Sequence, residues 1–227
     1  MNYYNEIKNK LIDNEVYKRV KDYSKNRNDL NTYYEVGKLL IEAQGGEERA
    51  KYGDRLIKEY SERLYNELGK KYDITTLKRY RQFYLKIEKG AALRHQLSWT
   101  HYRELLTLDN INELNYYVEI TIEQNLSYRQ LREKIKTKEY QRLDNNTKLK
   151  LINKEKLDIK DNIKNPIVIH NKNNLDKENI SEKVLQRLIL EDIPSFLKEL
   201  GVGFCFIGSE YKIKIGNTYN YIDLLLF

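Results

Sequence analysis

The sequence predicts an α+β chain: an N-terminal all-α helical domain followed by an incomplete domain of one helical region plus β-sheet. Three observations carry this. Apolar residues recur at helical spacing through residues 31–139. Both prolines lie beyond that region, at 166 and 194. Past Gly203 the period shortens to two, with Tyr211, Ile213 and Ile215 alternating with Lys212 and Lys214.

Taken in order, Asn31–Ala43 places Tyr33, Val36, Leu39, Leu40 and Ala43 on one helical face, and Gly45-Gly46 stops it. Asp54–Leu68 repeats the period through Leu56, Ile57, Tyr60 and Leu64, and Gly69 follows as a C-cap residue. Thr75 or Thr76 is expected to cap a helix whose inner face carries Leu77, Tyr80, Phe83, Tyr84 and Ile87, ending at Gly90. Trp99–Leu106 and Ile111–Gln124 continue the pattern, with Ser98 placed to cap the first. Ser127 precedes a further helix with Leu131 and Ile135 inward. This sets a helical domain over residues 1–140.

Residues 141–180 change character. They are rich in Asn, Lys and Asp, without sustained period, and read as a linker with one short apolar segment, Pro166–Ile169. Ser181 then caps a long helix through Val184, Leu188, Phe196 and Leu200, which Pro194 is expected to kink. Three β-type runs follow: Phe204–Gly208, Tyr211–Ile215 and Tyr219–Phe227, the last two joined by a turn at Gly216-Asn217. Ile222–Phe227 has the continuous apolar character of a central strand. A domain of residues 181–227 ending there is expected to be cut short, or completed by a second copy or a partner chain.

Composition narrows the function classes. The 227 residues hold 41 Lys+Arg against 34 Asp+Glu, a net charge of +7, and no stretch approaches the ~20 apolar residues of a membrane span. The N-terminus lacks the apolar core of a secretory signal. A single cysteine excludes an internal disulfide and any thiolate-rich metal site, so a cytoplasmic location is expected. Cys205 falls in an apolar run and is expected to be buried and inert. His95 and His101 flank Trp99 without metal-ligand spacing and suit packing and capping; His170 falls in the linker.

The positive excess lies in residues 1–143, with 28 basic and 22 acidic side chains, which favours phosphate partners. Lys78, Arg79, Arg81 and Lys86 interleave with Tyr80, Phe83 and Tyr84, a pattern that suits phosphate contact and stacking. The same aromatics equally suit a helical core. Arg129 and Arg132 head a second basic run that continues through Lys134, Lys136, Lys138 and Arg142. Asp223, set between Ile222 and Leu224, is the most informative carboxylate, because an unpaired charge inside an apolar strand is costly. It is either a strand-end residue capped by a neighbour or a ligand for a hard cation such as Mg²⁺.

Phe196-Leu197-Lys198-Glu199-Leu200-Gly201, then Phe204 to Gly208, then Ile222-Asp223-Leu224-Leu225, resembles the C-terminal part of the bacterial YhcG-like family in the PD-(D/E)xK nuclease superfamily. The N-terminal stretches Tyr34–Lys38, Tyr52–Asp54, Leu77–Tyr84 and Gln96–His101 resemble the family's helical domain. The resemblance implies Mg²⁺-dependent hydrolysis of DNA phosphodiesters. It makes Asp223 a metal ligand, with Glu182 or Glu191 as an assisting helix carboxylate; Gln186 stands where relatives often have Glu. The Glu-x-Lys pair of the superfamily belongs to a following strand that this sequence does not contain, which leaves activity open. The alternatives are a non-catalytic nucleic-acid-binding or assembly protein and an inactive mobile-element remnant.

Overall fold

The computed structural model describes residues 3–19, 25–46, 54–169, 181–201 and 203–227. They form two compact units, residues 1–135 and 136–227. Helices dominate, with one small antiparallel sheet near the C-terminus, so the chain is α+β as expected. The expected linker residue His170 and the Tyr52-Gly53 part of the family resemblance lie outside the described residues.

The first unit contains α1 (Tyr3–Arg19), α2 (Lys25–Ala43), α3 (Asp54–Leu68), α4 (Ile74–Glu88), α5 (Trp99–Leu105), α6 (Ile111–Glu123) and α7 (Tyr128–Lys136). Its core is apolar and closed. Ile7, Leu11, Leu30, Val36, Leu40, Ile57, Leu64, Leu77 and Leu105 are fully buried, each at the helical spacing that sends it inward. Burying a side chain of this size contributes about 1.5–3 kcal/mol.

Helix α2 lies tightly along α4. A Cβ added at Gly37 would stand 2.2 Å from the carbonyl oxygen of Tyr80, so only glycine permits this approach. The closeness brings Tyr33 and Tyr80 into a parallel stack, ring centres 4.4 Å apart. Trp99 packs against both, and Phe83 meets Trp99 and Tyr102 edge-on. Tyr80, Phe83 and Tyr102 are buried, which assigns these aromatics to the core.

The helix ends show where local chemistry sets the boundaries. Asp73, not a threonine, caps α4: its carboxylate accepts the Thr76 N–H at 2.7 Å, which holds its pKa below the usual 3.8. Ser98 begins α5 as expected. His101 closes that cap by accepting the Ser98 N–H at Nδ1 (3.1 Å), which leaves Nε2 to donate to the Leu126 carbonyl at 3.1 Å. Ser127 and Gln130 form the reciprocal cap of α7.

The second unit contains α8 (Asn145–Asn153), α9 (Glu182–Glu191), α10 (Ile193–Leu200), β1 (Phe206–Ile215) and β2 (Thr218–Leu226). Three expectations change here. Residues 145–153 form a helix capped by Asp144, and 159–162 a 3-10 turn, where no periodicity signalled structure. Pro194 does not kink one helix. It starts α10 behind the cap Asp192, because proline lacks only an N–H that the first turn leaves unpaired. The two runs Phe204–Gly208 and Tyr211–Ile215 are one strand, β1, with an irregularity at Phe206–Gly208.

Within the second unit, the segment 137–168 is tied down by buried charge. Arg142 pairs with Glu199 of α10 and donates through Nη1 to the Pro166 carbonyl (2.7 Å) and through Nε to Thr137 O (2.9 Å). Lys164 donates to the Glu199 carbonyl at 2.7 Å and faces Glu139 at 3.6 Å. Glu199 Oε1 also accepts the Val168 N–H at 3.0 Å. All four charged groups are nine-tenths buried or close to it, so each needs its partners.

Strands β1 and β2 pair antiparallel from Phe206↔Leu226 to Ile215↔Thr218, with Gly216 at φ 61° in the turn. Cys205 and Phe227 extend the ladder by exchanging both backbone hydrogen bonds. Cys205 is exposed rather than buried, because the hairpin carries little cover at that end. Ile207, Tyr211, Ile215, Tyr219, Tyr221 and Phe227 are exposed as well. Among the described residues no helix is long and apolar enough to cross a membrane.

Candidate nucleic-acid interface and acidic site

Helix α4 divides its basic residues by phase. Leu77, Tyr80 and Phe83 step inward at intervals of three, and Lys86 falls on the next step. Its ammonium is consequently spent inside the fold: it donates to the Leu108 carbonyl and faces Asp109 at 3.6 Å. Lys86 is buried and drops out of any exposed basic face. Arg142 of the second basic run drops out for the same reason. Lys78, Arg79 and Arg81 are half-buried, and Arg81 donates to Gln44 at 3.3 Å.

The two basic runs meet at a residue that neither contains. Glu104, on α5, receives a two-pronged contact from Arg132 of α7: Nε to Oε2 at 2.9 Å and Nη2 to Oε1 at 2.6 Å. Arg132, then Arg103 and Arg79, hold the Glu104 carboxyl below the usual carboxylate range, outweighing its partial desolvation. Arg79 of the first run and Arg132 of the second therefore act on one oxygen pair. Tyr128, at the start of α7, has the guanidinium groups of both Arg129 and Arg132 at 5.8 Å from its ring centre, and its hydroxyl accepts from Arg129 Nε at 3.2 Å. Sequence reasoning missed Glu104, Arg103 and Tyr128. The pairing spans 28 positions, and only the docking of α7 against α5 reveals it.

The three acidic candidates gather into no common group. Asp223 lies on β2 between the Ser209↔Leu224 and Tyr211↔Ile222 pairs and is exposed, so its charge stays solvated and the burial cost expected of it does not arise. Glu182 sits in the first turn of α9, where a carboxylate suits the helix dipole. Glu191 ends the same helix, about 13 Å further along at 1.5 Å per residue. It lines an open cavity of about 560 Å³ with Lys183, Gln186, Arg187, Leu190 and, from β1, Glu210. Glu210, in a left-handed conformation (φ 50°), is an acid that sequence reasoning did not single out.

Mg²⁺ demands oxygen donors at about 2.1 Å in near-octahedral order. Among the described residues no group of three or more His, Cys, Asp or Glu side chains is placed to hold a metal ion. Asp223, Glu182 and Glu191 thus do not form a magnesium centre by themselves.

The helical unit leaves arginines on its surface, and the second unit, of helices and a hairpin, carries Asp223 on its second strand. Residues 9–142 match the family described as the DUF1016 N-terminal domain, and residues 160–227 match the YhcG PDDEXK nuclease domain. The chain belongs to the YhcG-like family of the PD-(D/E)xK superfamily. It is 26% identical over 235 residues to "Putative nuclease YhcG" of Escherichia coli (strain K12), covering 86% of this chain and 62% of that protein. It thus spans less than two thirds of that relative's length. No solved structure matches.

Proposed function

We propose that this chain serves DNA phosphodiester hydrolysis: the helical unit holds the DNA backbone, and the second unit presents Asp223 to a Mg²⁺-dependent centre. The observation that carries the reading is that Arg132, Arg103 and Arg79 act on one carboxylate, Glu104, while Arg129 and Arg132 both flank the ring of Tyr128. Such a surface attracts phosphate and releases counterions. The membership of a nuclease family supplies the reaction class. A divalent ion, when bound, supplies charge stabilisation for phosphoryl transfer. Since the described carboxylates do not assemble its coordination shell, no step is assigned through it, and Asp223 alone carries the acidic role.

One observation favours a second reading, a non-catalytic DNA-binding protein: Asp223, Glu182 and Glu191 do not converge. A single experiment separates the two. Wild type and Asp223→Ala are incubated with plasmid DNA and Mg²⁺, and retention of a labelled duplex is measured in parallel. The first reading expects Mg²⁺-dependent nicking by wild type, lost in Asp223→Ala, with equal DNA retention by both. Retention without nicking by either establishes the second. No salt-dependent retention at all overturns both.

A further inference from the structure

We propose that the Glu104 carboxylate occupies a seat for one backbone phosphate of the nucleic acid, formed by Arg132 with Arg103 and Arg79, and that an entering phosphate displaces it. The inference rests on the reading of the helical unit as a DNA-holding surface and names where on that surface a phosphate sits. A guanidinium fork grips a carboxylate and a phosphate with the same two parallel N–H donors. Arg132 makes that fork on Glu104 with both contacts under 3 Å, yet keeps 48% of its side chain exposed, while Glu104 is 18% exposed. The arginine therefore offers its open side to solvent from a position set by the fold. An ion pair so open to water is readily exchanged for another anion.

The surroundings favour a polyanion over a lone carboxylate. Arg103 and Arg79 add positive field at the same oxygen pair, and Glu133 is a further acid that acts, more weakly than Glu104, on Arg132. The Tyr128 ring, flanked by Arg129 and Arg132, gives the neighbouring sugar or base a flat face to rest on. Glu104 thus acts as an internal competitor. It keeps Arg132 aligned when no nucleic acid is present and weakens the affinity the cluster would otherwise show.

The test is a binding titration of a fluorescein-labelled duplex of mixed sequence, over a range of KCl concentrations, against wild type, Glu104→Gln, the control Glu123→Gln and the double variant Glu104→Gln/Arg132→Ala. Circular dichroism first confirms that each is folded. Without Glu104 to displace, the phosphate gains the whole of the Arg132 contact, so Glu104→Gln is expected to bind the duplex about fivefold tighter than wild type near 0.15 M salt, with the wild-type salt slope, since both make the same contact. Glu123→Gln makes the same change in net charge and is expected to bind as wild type does. The double variant lacks the Arg132 contact and is expected to lose the gain and to show a salt slope shallower by about 0.9. A Glu104→Gln variant indistinguishable from Glu123→Gln overturns the seat while leaving the DNA-holding surface standing. A wild type with no salt-dependent binding overturns both. Replacing KCl with sodium phosphate at equal ionic strength separates the sources of phosphate. Gain in Glu104→Gln only toward inorganic phosphate, with an unchanged affinity for the duplex, overturns the assignment to nucleic acid.

Discussion

The two units differ in how much of their packing is ionic. The helical unit packs mainly Leu, Ile and aromatic rings from successive helices, with the buried Lys86 held by the Leu108 carbonyl, and leaves arginines such as Arg132 on its surface beside half-buried acids such as Glu104. The second unit buries Arg142, Lys164, Glu139 and Glu199 and leaves apolar side chains in water, Tyr211, Tyr219, Tyr221 and Phe227 among them. Its buried apolar core in α9 and α10 is Leu188, Ile189 and Leu200. The lesson is about what each unit tolerates. Losing one apolar contact in the first unit leaves many others. Losing one partner of the second unit's ionic group strands a charge in the interior.

That contrast breaks most visibly at Arg142. Arg142→Ala leaves Glu199 buried without its cation and is expected to cost about 3–5 kcal/mol, seen as lost amide protection across 136–227 with the helical unit still protected. Arg142→Met with Glu199→Leu, which removes both charges, is expected to recover most of that loss. Full stability in the single variant would show that the ionic group contributes little.

The helical unit has its own rigid point. Gly37→Ala forces a methyl to within 2.2 Å of the Tyr80 carbonyl, and backbone cannot yield as a side chain can. Overpacking of this kind costs about 1–3 kcal/mol, and the contact with main chain puts the expected loss at the upper end, measured as a lowered urea midpoint. An unchanged midpoint would mean that α2 and α4 part easily.

The smallest effect concerns the cap of α4. Asp73→Ala is expected to cost about 1 kcal/mol at neutral pH. Because folding depresses the Asp73 carboxyl below 3.8, its stabilisation is fully present above that value and fades as pH falls through the folded pKa. The urea midpoints of wild type and variant should therefore differ at pH 7 and merge in acid. A gap that persists at pH 2 would assign the role to something other than the ionised side chain.

Much of the helical unit was legible because its period is its fold. The stripe from Leu77 to Phe83 announces both a helix and its buried side. The same stripe misled over Lys86: a long polar side chain at an inward step reads as surface until its carbonyl partner, Leu108, is in place. The segment 141–169 was illegible because its order comes from contacts far along the chain, Arg142 and Lys164 to Glu199. Pro194 was visible as a break, but whether a proline bends a helix or opens the next depends on Asp192 adopting the cap conformation. Asp223 stood out by its apolar neighbours, yet its exposure depends on what covers the hairpin, which the local run does not encode. Glu104 carried no local signal at all.

The exposed thiol of Cys205 has a practical consequence. The chain has one cysteine, at the base of the hairpin, and one tryptophan, Trp99, set among the rings of the helical unit. Indole emission therefore senses one unit alone, while a maleimide dye on the native thiol senses the other. The wild-type polypeptide thus carries its own pair of spectroscopic labels, one in each unit, without introducing a reporter by mutagenesis.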